Sequence, residues 1–187
     1  MWSKPLYAGG AQSAGLRVRP NGNIDAVLIA PPFVSKTLSA TGQTLDSTGI
    51  FLPLSAYSDA RPAFDANQNL YLYSNTPPGL FNGYFVDRVE NLDAPALAWK
   101  KIFGVPAPPE AETGDAIAST PDGGFVLAGT REDSTGDADV WVLRASPQGN
   151  VLWDKIIDLG DEFFDNARLG SVESDPAGNI IVLAASA

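Results

Sequence analysis

The stretch AIASTPDGGFVLAG, at residues 116–129, decides the fold of this chain. It contains a short strand-forming run, a Thr-Pro-Asp-Gly-Gly turn at residues 120–124 and a strongly apolar run at residues 125–128. The Asp-Gly pair favours a tight turn between antiparallel strands, because glycine adopts positive φ without steric cost. A strand with one wet face alternates apolar and polar residues; this run does not, so both of its faces should be covered. The stretch therefore predicts a β-hairpin whose second strand is sandwiched between neighbours.

The same strand, turn and apolar strand recur along the chain. The apolar strands begin at Ile24, Leu70, Phe125 and Ile180, with spacings of 46, 55 and 55 residues. A second hairpin follows the first in each of the first three units, most clearly at residues 139–156. Four antiparallel strands in roughly 45–55 residues are typical of a β-propeller blade. A β-sandwich is the alternative, but sandwich strands rarely keep so regular a spacing.

We therefore predict an all-β chain that forms a β-propeller of four-stranded antiparallel blades, with about four blades or as part of a larger ring. The expected blades occupy residues 14–52, 58–104 and 114–158. A split blade formed by the two termini is expected to join residues 168–187 to residues 1–8.

A Trp-x-Lys motif marks the last strand of a blade. It occurs at residues 99–101 and 153–155, which are 54 residues apart, and again at residues 2–4. The chain is therefore expected to open on the fourth strand of the split blade. Because unpaired strand edges attract other strands, we expect the terminal strands to pair, within the chain or by self-association with a second copy.

Two segments of the third unit resemble a known family of repeats. Residues 114–130 resemble the "TsDGGyvvaG" core, and residues 136–153 the "D-x-W-l-x-k-l-d-x-x-G-n-v-l-W" half, of β-propeller repeats in secreted or surface-attached bacterial proteins. The second unit departs from this pattern by lacking the double glycine, and the first has Asp46 in place of the tryptophan. The resemblance implies a propeller and an extracellular, periplasmic or cell-surface location. It carries no catalytic residue with it.

Charge and composition exclude several classes of function. The 187 residues include 12 Lys and Arg and 22 Asp and Glu, a net charge of −10, so no nucleic-acid partner is expected. The chain has no His and no Cys, which removes Ser-His-Asp and Cys-His nucleophiles, thiol redox chemistry and the usual zinc and iron sites. No apolar run reaches the roughly 18 residues of a membrane helix, so no membrane insertion is expected. The first residues show no signal peptide.

The sharpest candidate site is an acidic segment around a glycine turn. It contains Asp133, Asp137 and Asp139, with Glu132 beside them. Ca²⁺ takes six to eight oxygen ligands, so this pattern predicts a calcium loop, and no other cofactor is expected. The alternative is a solvated loop between the second and third strands of a blade. The segment lacks the closing Glu of the twelve-residue calcium loop.

Two further groups of residues could carry chemistry. One is an acidic run around two phenylalanines, at Asp158, Asp161, Glu162 and Asp165. It could supply the paired carboxylates of a hydrolase, or it could be an inter-blade connection. The other is the aromatic group Tyr71, Tyr73, Tyr84 and Phe85. It could form a stacking platform for sugars or peptides, or it could fill the wedge between blades.

Together these features favour a binding or scaffold module that contacts a protein or glycan through loops on one propeller face, and they favour a protein that is not an enzyme. One alternative is an enzyme with a carboxylate-based or cofactor-bearing site in the central funnel, hydrolase-like, lyase-like or quinoprotein-like. Another is a purely structural part of a larger surface protein.

Overall fold

The computed structural model describes residues 13–29, 33–50, 60–75, 84–104, 111–132, 138–158 and 168–185. Within these ranges no helix is long and apolar enough to cross a membrane. The regular elements are strands: β1 Ser13–Val18, β2 Ile24–Ile29, β3 Phe33–Leu38, β4 Thr44–Ile50, β5 Arg61–Phe64, β6 Leu70–Asn75, β7 Tyr84–Glu90, β8 Ala96–Phe103, β9 Ala111–Ser119, β10 Phe125–Glu132, β11 Ala138–Ala145, β12 Val151–Ile157, β13 Arg168–Ser174 and β14 Ile180–Ala185.

These strands form consecutive antiparallel sheets in which neighbours in sequence are neighbours in space. Blade 1 has the order β1-β2-β3-β4, blade 2 the order β5-β6-β7-β8, and blade 3 the order β9-β10-β11-β12. The terminal sheet pairs β13 with β14. Such four-stranded meanders are propeller blades, and the described chain is a partial β-propeller. The predicted fold class is confirmed.

The first strands of successive sheets lie side by side. Strand β1 contacts β5, β5 contacts β9, and β9 contacts β13. The later strands of each blade continue outward from this inner row, so neighbouring blades face each other across their sheets. Each blade then has a forward face, toward the next sheet in the chain, and a rear face, toward the preceding one.

Three apolar clusters occupy the spaces between the sheets. Between blades 1 and 2 lie Val27, Ala60, Leu70, Leu72, Val89 and Leu92. Between blades 2 and 3 lie Ala63, Tyr71, Tyr73, Tyr84, Val86, Phe103, Phe125, Leu127, Trp141, Leu143 and Ala145. Between blade 3 and the terminal sheet lie Val126, Ala128, Val140, Val142 and Val172. Alternate residues of one strand thus enter different clusters, because side chains alternate across a sheet.

This arrangement explains the unbroken apolar runs of the sequence. The run at residues 125–128 is at most 2% exposed at every position, which confirms that both of its faces are covered. The apolar run at residues 180–184 is also unbroken and predicts two covered faces, which is wrong for β14, where Ile181 is 58% and Leu183 65% exposed. Both residues lie on the forward face of the terminal sheet, and no described sheet packs on that face.

The hairpin turns follow the predicted chemistry. Gly123 of blade 3 has a φ of 81°, which residues with an L side chain rarely adopt. This agrees with the tight turn that the Asp-Gly pair predicts. Blade 2 lacks the double glycine and closes the corresponding turn with Asp65. One carboxylate oxygen of Asp65 accepts from the backbone N–H groups of Asn67 and Asn69 at 2.8 Å, and the other from the Asn69 amide at 2.7 Å. Gln68 takes the position of Gly123 with a φ of 70°, and the hydrogen bonds of the buried Asp65 carboxylate hold this turn without a glycine.

The predicted blade boundaries stay a prediction. Strand β9 begins at Ala111, three residues before the expected start of its blade at residue 114. Residues 111–113 pair with residues 130–132 of β10, and the register shifts by one residue between Ala128 and Gly129, where residue 115 forms a bulge. Residues 1–12, 186 and 187 lie outside the described ranges, and the split blade stays a prediction.

Tyr71 predicts an alkaline limit to stability. Burial raises the pKa of Tyr71 to about 12, and its hydroxyl donates to the carbonyl oxygen of Gly123 across the blade 2–blade 3 interface. Because the folded pKa exceeds that of an unfolded tyrosine, about 10, the contribution is complete below about pH 10 and is lost as the pH rises toward 12. We expect urea unfolding of the wild type and of Tyr71→Phe to converge between pH 10 and 12. A constant difference in unfolding free energy over that interval would contradict this assignment.

Candidate functional site

A cleft opens between the outer parts of blades 2 and 3. Its volume is about 440 Å³. It is lined by Lys101, Ile102, Phe103, Gly104, Arg131, Trp141, Leu143, Gly149, Val151 and Asp154. It lies beside the inter-blade core, because Phe103, Trp141 and Leu143 belong to both. The cleft therefore joins an apolar floor to a partly exposed rim.

The strand registers set the two walls of the cleft. On blade 2, Lys101 pairs with Val86, a member of the cluster between blades 2 and 3, so Lys101 lies on the forward face. On blade 3, Asp154 pairs with Leu143 and Val151 with Ala145, which places both on the rear face. The two walls therefore come from strands β8 and β12, the outermost strands of facing blades.

Side chains of blade 2 hold the β11–β12 turn of blade 3 at one end of the cleft. The Trp99 indole N–H donates to the Pro147 carbonyl oxygen at 3.0 Å, and Arg88 donates to the same oxygen at 2.9 Å. Lys101 Nζ donates to the carbonyl oxygens of Gln148 at 2.8 Å and Gly149 at 3.0 Å. The Trp-x-Lys motif of the sequence is thus a contact between consecutive blades.

Gly149 is required for this contact. Its φ of 69° lies in the left-handed region. A Cβ there would stand 2.9 Å from Cδ of Lys101 and 3.1 Å from the Trp99 ring. At residue 149 the turn approaches the blade 2 side chains too closely for a Cβ to fit unless Lys101 or Trp99 moves.

Both positive and negative side chains line the cleft. Lys101 is bound by neutral carbonyl groups and lies 5.7 Å from the centre of the Trp99 ring, and neither contact cancels its charge. Arg131 and Asp154 also line the cleft, and Arg131 pairs in register with Glu112 of β9 and Asp139 of β11. Lys101 is therefore the cation of the cleft that could contact an anionic group, in a chain with a net charge of −10.

The aromatic group of blade 2 fills the wedge between blades. Tyr71 and Tyr84 are fully buried and Tyr73 is 1% exposed. The Tyr84 ring stacks on Trp141 at a centroid distance of 5.2 Å, and Tyr71 packs on Phe125 at 4.9 Å. Phe85 lies half-buried on the same strand as Tyr84. These three tyrosines therefore form packing contacts rather than a platform open to a ligand.

The structure describes only part of the acidic candidates. Asp139 lies on β11, directly across from Arg131 of β10. Asp133, Asp137, Asp161, Glu162 and Asp165 lie outside the described ranges. Among the residues that are described, no three acidic side chains gather as a metal site would need. The calcium loop stays a prediction.

The cleft itself was not anticipated from sequence. Its residues come from β8, β10, β11 and β12, and their meeting depends on the angle between two sheets. The sequence feature that points to the cleft is the Trp-x-Lys motif at residues 99–101. A lysine that recurs two residues after a tryptophan indicates a contact that recurs between blades.

Comparisons with known proteins leave the family open. No family model and no curated protein match the chain. The crystal structure of a protein of unknown function from Bacteroides caccae is similar at 9% identity and a TM-score of 0.42, over 76% of this chain and 66% of that chain. An engineered GH43 glycoside hydrolase, described as having endo-xylanase and exo-arabinofuranosidase activity, is similar at 16% identity and a TM-score of 0.42, over 84% of this chain and 34% of that chain.

The second similarity corrects one expectation. The prediction against catalysis is wrong as it stood, because a glycoside hydrolase is among the structures that the chain matches. Whether this chain is an enzyme therefore stays open. At this identity and TM-score, the match carries no activity, substrate or site residue to this chain.

Proposed function

We propose that this partial propeller is a binding module that takes up an acidic, partly apolar segment of a partner protein in the cleft between blades 2 and 3. The observation that carries the proposal is the combination of an exposed aliphatic residue, Val151, with the Lys101 cation in an otherwise acidic chain. Val151 lies on the blade 3 wall of the cleft and is 51% exposed. The resemblance to secreted and surface repeats would place this binding outside the cell.

The apolar part of the cleft suits a peptide better than a sugar. Sugar binding commonly uses an exposed aromatic ring, and the aromatic residues of this cleft are covered, with Trp141 only 2% and Phe103 5% exposed. Exposed aliphatic side chains instead bury the leucine-like residues of a peptide, at about 25 cal/mol per Å² of apolar surface removed from water.

The positive charge of Lys101 in the cleft favours a ligand with negative charge. Arg131 pairs in register with Glu112 and Asp139 of its own sheet, so Lys101 is the cation that a ligand would contact in the cleft. Outside it, the net charge of −10 repels an acidic ligand at long range, so binding should depend on contact inside the cleft. This position differs from the loops on one propeller face that the sequence suggested.

Peptide binding tests the proposal. We would titrate the chain into three fluorescent nine-residue peptides, in which leucine alternates with aspartate, with serine or with lysine, and follow anisotropy. We expect the aspartate peptide to bind at least tenfold more tightly than the other two. Equal binding of all three peptides, or no binding of the aspartate peptide at about 1 mM protein, would reject the proposal.

A matched pair of variants locates the binding. Val151→Asp removes an apolar contact and adds a like charge inside the cleft, so we expect affinity for the aspartate peptide to fall at least tenfold. Leu45→Asp makes the same kind of change on the outer strand of blade 1, where Leu45 is 53% exposed, and should leave affinity within twofold. Equal losses in both variants would show that the peptide does not bind in this cleft.

A further inference from the structure

Two opposite charges line the cleft between blades 2 and 3 without neutralising each other. Lys101 Nζ lies at the end where the β11–β12 turn closes the cleft, 2.8 Å from the carbonyl oxygen of Gln148 and 3.0 Å from that of Gly149. Asp154 lines the same cleft and is exposed. The ion pairs among the described residues include neither side chain, so both charges are available to a ligand.

Strand pairing sets the order of positions along the blade 3 wall. Val151 pairs with Ala145, and Asp154 pairs with Leu143, which lies two residues away along β11. Paired residues form rows across the rear face of the sheet, and successive rows on one face are about 7 Å apart. Moving away from the turn, the cleft therefore presents the Lys101 cation, then an exposed valine, and then a carboxylate one row farther.

Arg131 does not neutralise the Asp154 carboxylate. It pairs with Asp139, which lies four residues from Leu143 along β11. Arg131 therefore lies two rows beyond Asp154 and two strands inward, roughly 16 Å away between Cα atoms in a regular sheet, which is too far for an ion pair. The row between them contains the apolar Trp141. The Asp154 carboxylate thus remains a negative charge that a ligand in this cleft meets.

An extended peptide matches this spacing. Alternate side chains of a β-strand point to the same side and repeat every 7 Å or about that distance. A segment that lies along the cleft would therefore place three alternate residues against Lys101, Val151 and Asp154. The side chains that complement these positions are acidic, aliphatic and basic, in that order.

We propose that the partner segment carries the pattern acidic-x-aliphatic-x-basic along the cleft, and that its basic side chain pairs with Asp154. This inference rests on the proposed function and names the charge order that the cleft selects: the acidic segment holds one basic residue. A uniformly acidic segment would meet like-charge repulsion at Asp154, whereas the mixed segment forms an ion pair at each end.

Peptides of matched design test the charge order. Four fluorescent nine-residue serine peptides carry a central leucine, and the positions two residues to either side carry Asp and Lys, Lys and Asp, two Asp or two Lys. The two mixed peptides present the same order in the two chain directions. By anisotropy, we expect one of them to bind about fivefold more tightly than the two-aspartate peptide, as for an exposed ion pair.

The outcomes separate this inference from the proposed function. The inference is overturned if neither mixed peptide binds more tightly than the two-aspartate peptide, which includes the case in which none of the four binds. The leucine–aspartate peptide described above is measured alongside. If it still binds tenfold more tightly than its serine and lysine counterparts, the proposed function stands without the charge order; if it does not, both are overturned.

Variants at Asp154 assign the effect to this side chain. Asp154→Asn removes the charge with little change in shape, so the fivefold advantage of the better mixed peptide should fall to within about twofold. Asp154→Lys reverses the charge, and the two-aspartate peptide should then bind most tightly. Glu173→Gln is the matched control, because Glu173 of β13 is exposed and outside the cleft, and it should preserve the advantage. An advantage that survives Asp154→Asn overturns the inference, as does one that Glu173→Gln lowers equally.

A zero-length cross-link locates the basic residue of the bound peptide. A carbodiimide activates a carboxylate, and the lysine amine of a peptide with an acetylated amino terminus then displaces the urea and forms an amide. Since this amide forms only between groups in contact, mass spectrometry of the digested product should place the peptide lysine on Asp154. Cross-links only to other acidic residues, in a chain with 22 Asp and Glu, would overturn the inference.

Discussion

Replacing Phe125 by alanine is expected to lower the free energy of unfolding by about 3–5 kcal/mol. Phe125 is fully buried between blades 2 and 3. Its ring lies 4.9 Å from that of Tyr71 and 5.4 Å from that of Phe103, centroid to centroid. Alanine would leave a cavity among aromatic rings that cannot collapse easily, because each ring is also held by its own strand.

Urea unfolding followed by tryptophan fluorescence measures this loss, since Trp99 and Trp141 border the same cluster. Leu152→Ala is the matched control, because Leu152 is 52% exposed, and it should cost less than about 0.5 kcal/mol. If Phe125→Ala costs no more than Leu152→Ala, blades 2 and 3 do not share the core described above.

Asp25→Asn is expected to have the second largest effect, a loss of about 2–3 kcal/mol. Asp25 is 1% exposed, and both of its oxygens accept from Arg19 Nε at 2.9 Å. Thr37 donates to the same carboxylate at 3.1 Å. The amide would remove the negative charge and leave the guanidinium largely buried without its closest partner, and breaking a buried pair costs more than the pair itself contributes.

The other carboxylate on Arg19 supplies the control. Asp93 lies in blade 2, accepts from Arg19 Nη2 at 3.0 Å and is 60% exposed in its side chain. Water screens such a contact, so Asp93→Asn should cost only about 0.5 kcal/mol. Chemical denaturation of both variants at pH 7 compares them directly. Losses of equal size would mean that burial does not govern the strength of these contacts.

The sequence predicted those features of the fold that depend on residues close together in the chain. The turn at residues 120–124 and the apolar run after it fix a hairpin with two covered faces, and the burial of Phe125 and Val126 agrees. The run at Ile180 has the same apolar pattern, yet every second side chain is exposed. An unbroken apolar pattern indicates that both faces of a strand suit burial. It does not indicate whether another sheet packs on each face.

The candidate site depended on geometry that the sequence does not encode locally. Lys101 and Gly149 are distant in the chain and meet because two sheets face each other. The acidic segment at residues 132–139 looked sharper, since its carboxylates are close in sequence. Asp139, however, lies opposite a cation of its own sheet, which is a register relationship rather than a spacing.

Several hydrogen bonds between blades have their donor in one blade and their acceptor in the next blade of the chain. Arg17 of blade 1 donates to the Asp65 carbonyl of blade 2, and Tyr71 and Trp99 of blade 2 donate to turns of blade 3. Among the contacts given above for the described residues, Ser119 of blade 3 donates in the reverse direction, to the Phe64 carbonyl of blade 2. Shortening the protein from its carboxyl end would leave buried donors without acceptors in the remaining blade. Shortening it from the amino end would expose mainly carbonyl oxygens, which water hydrates easily. Truncation series from the two ends should therefore differ, with the carboxyl-terminal series failing first.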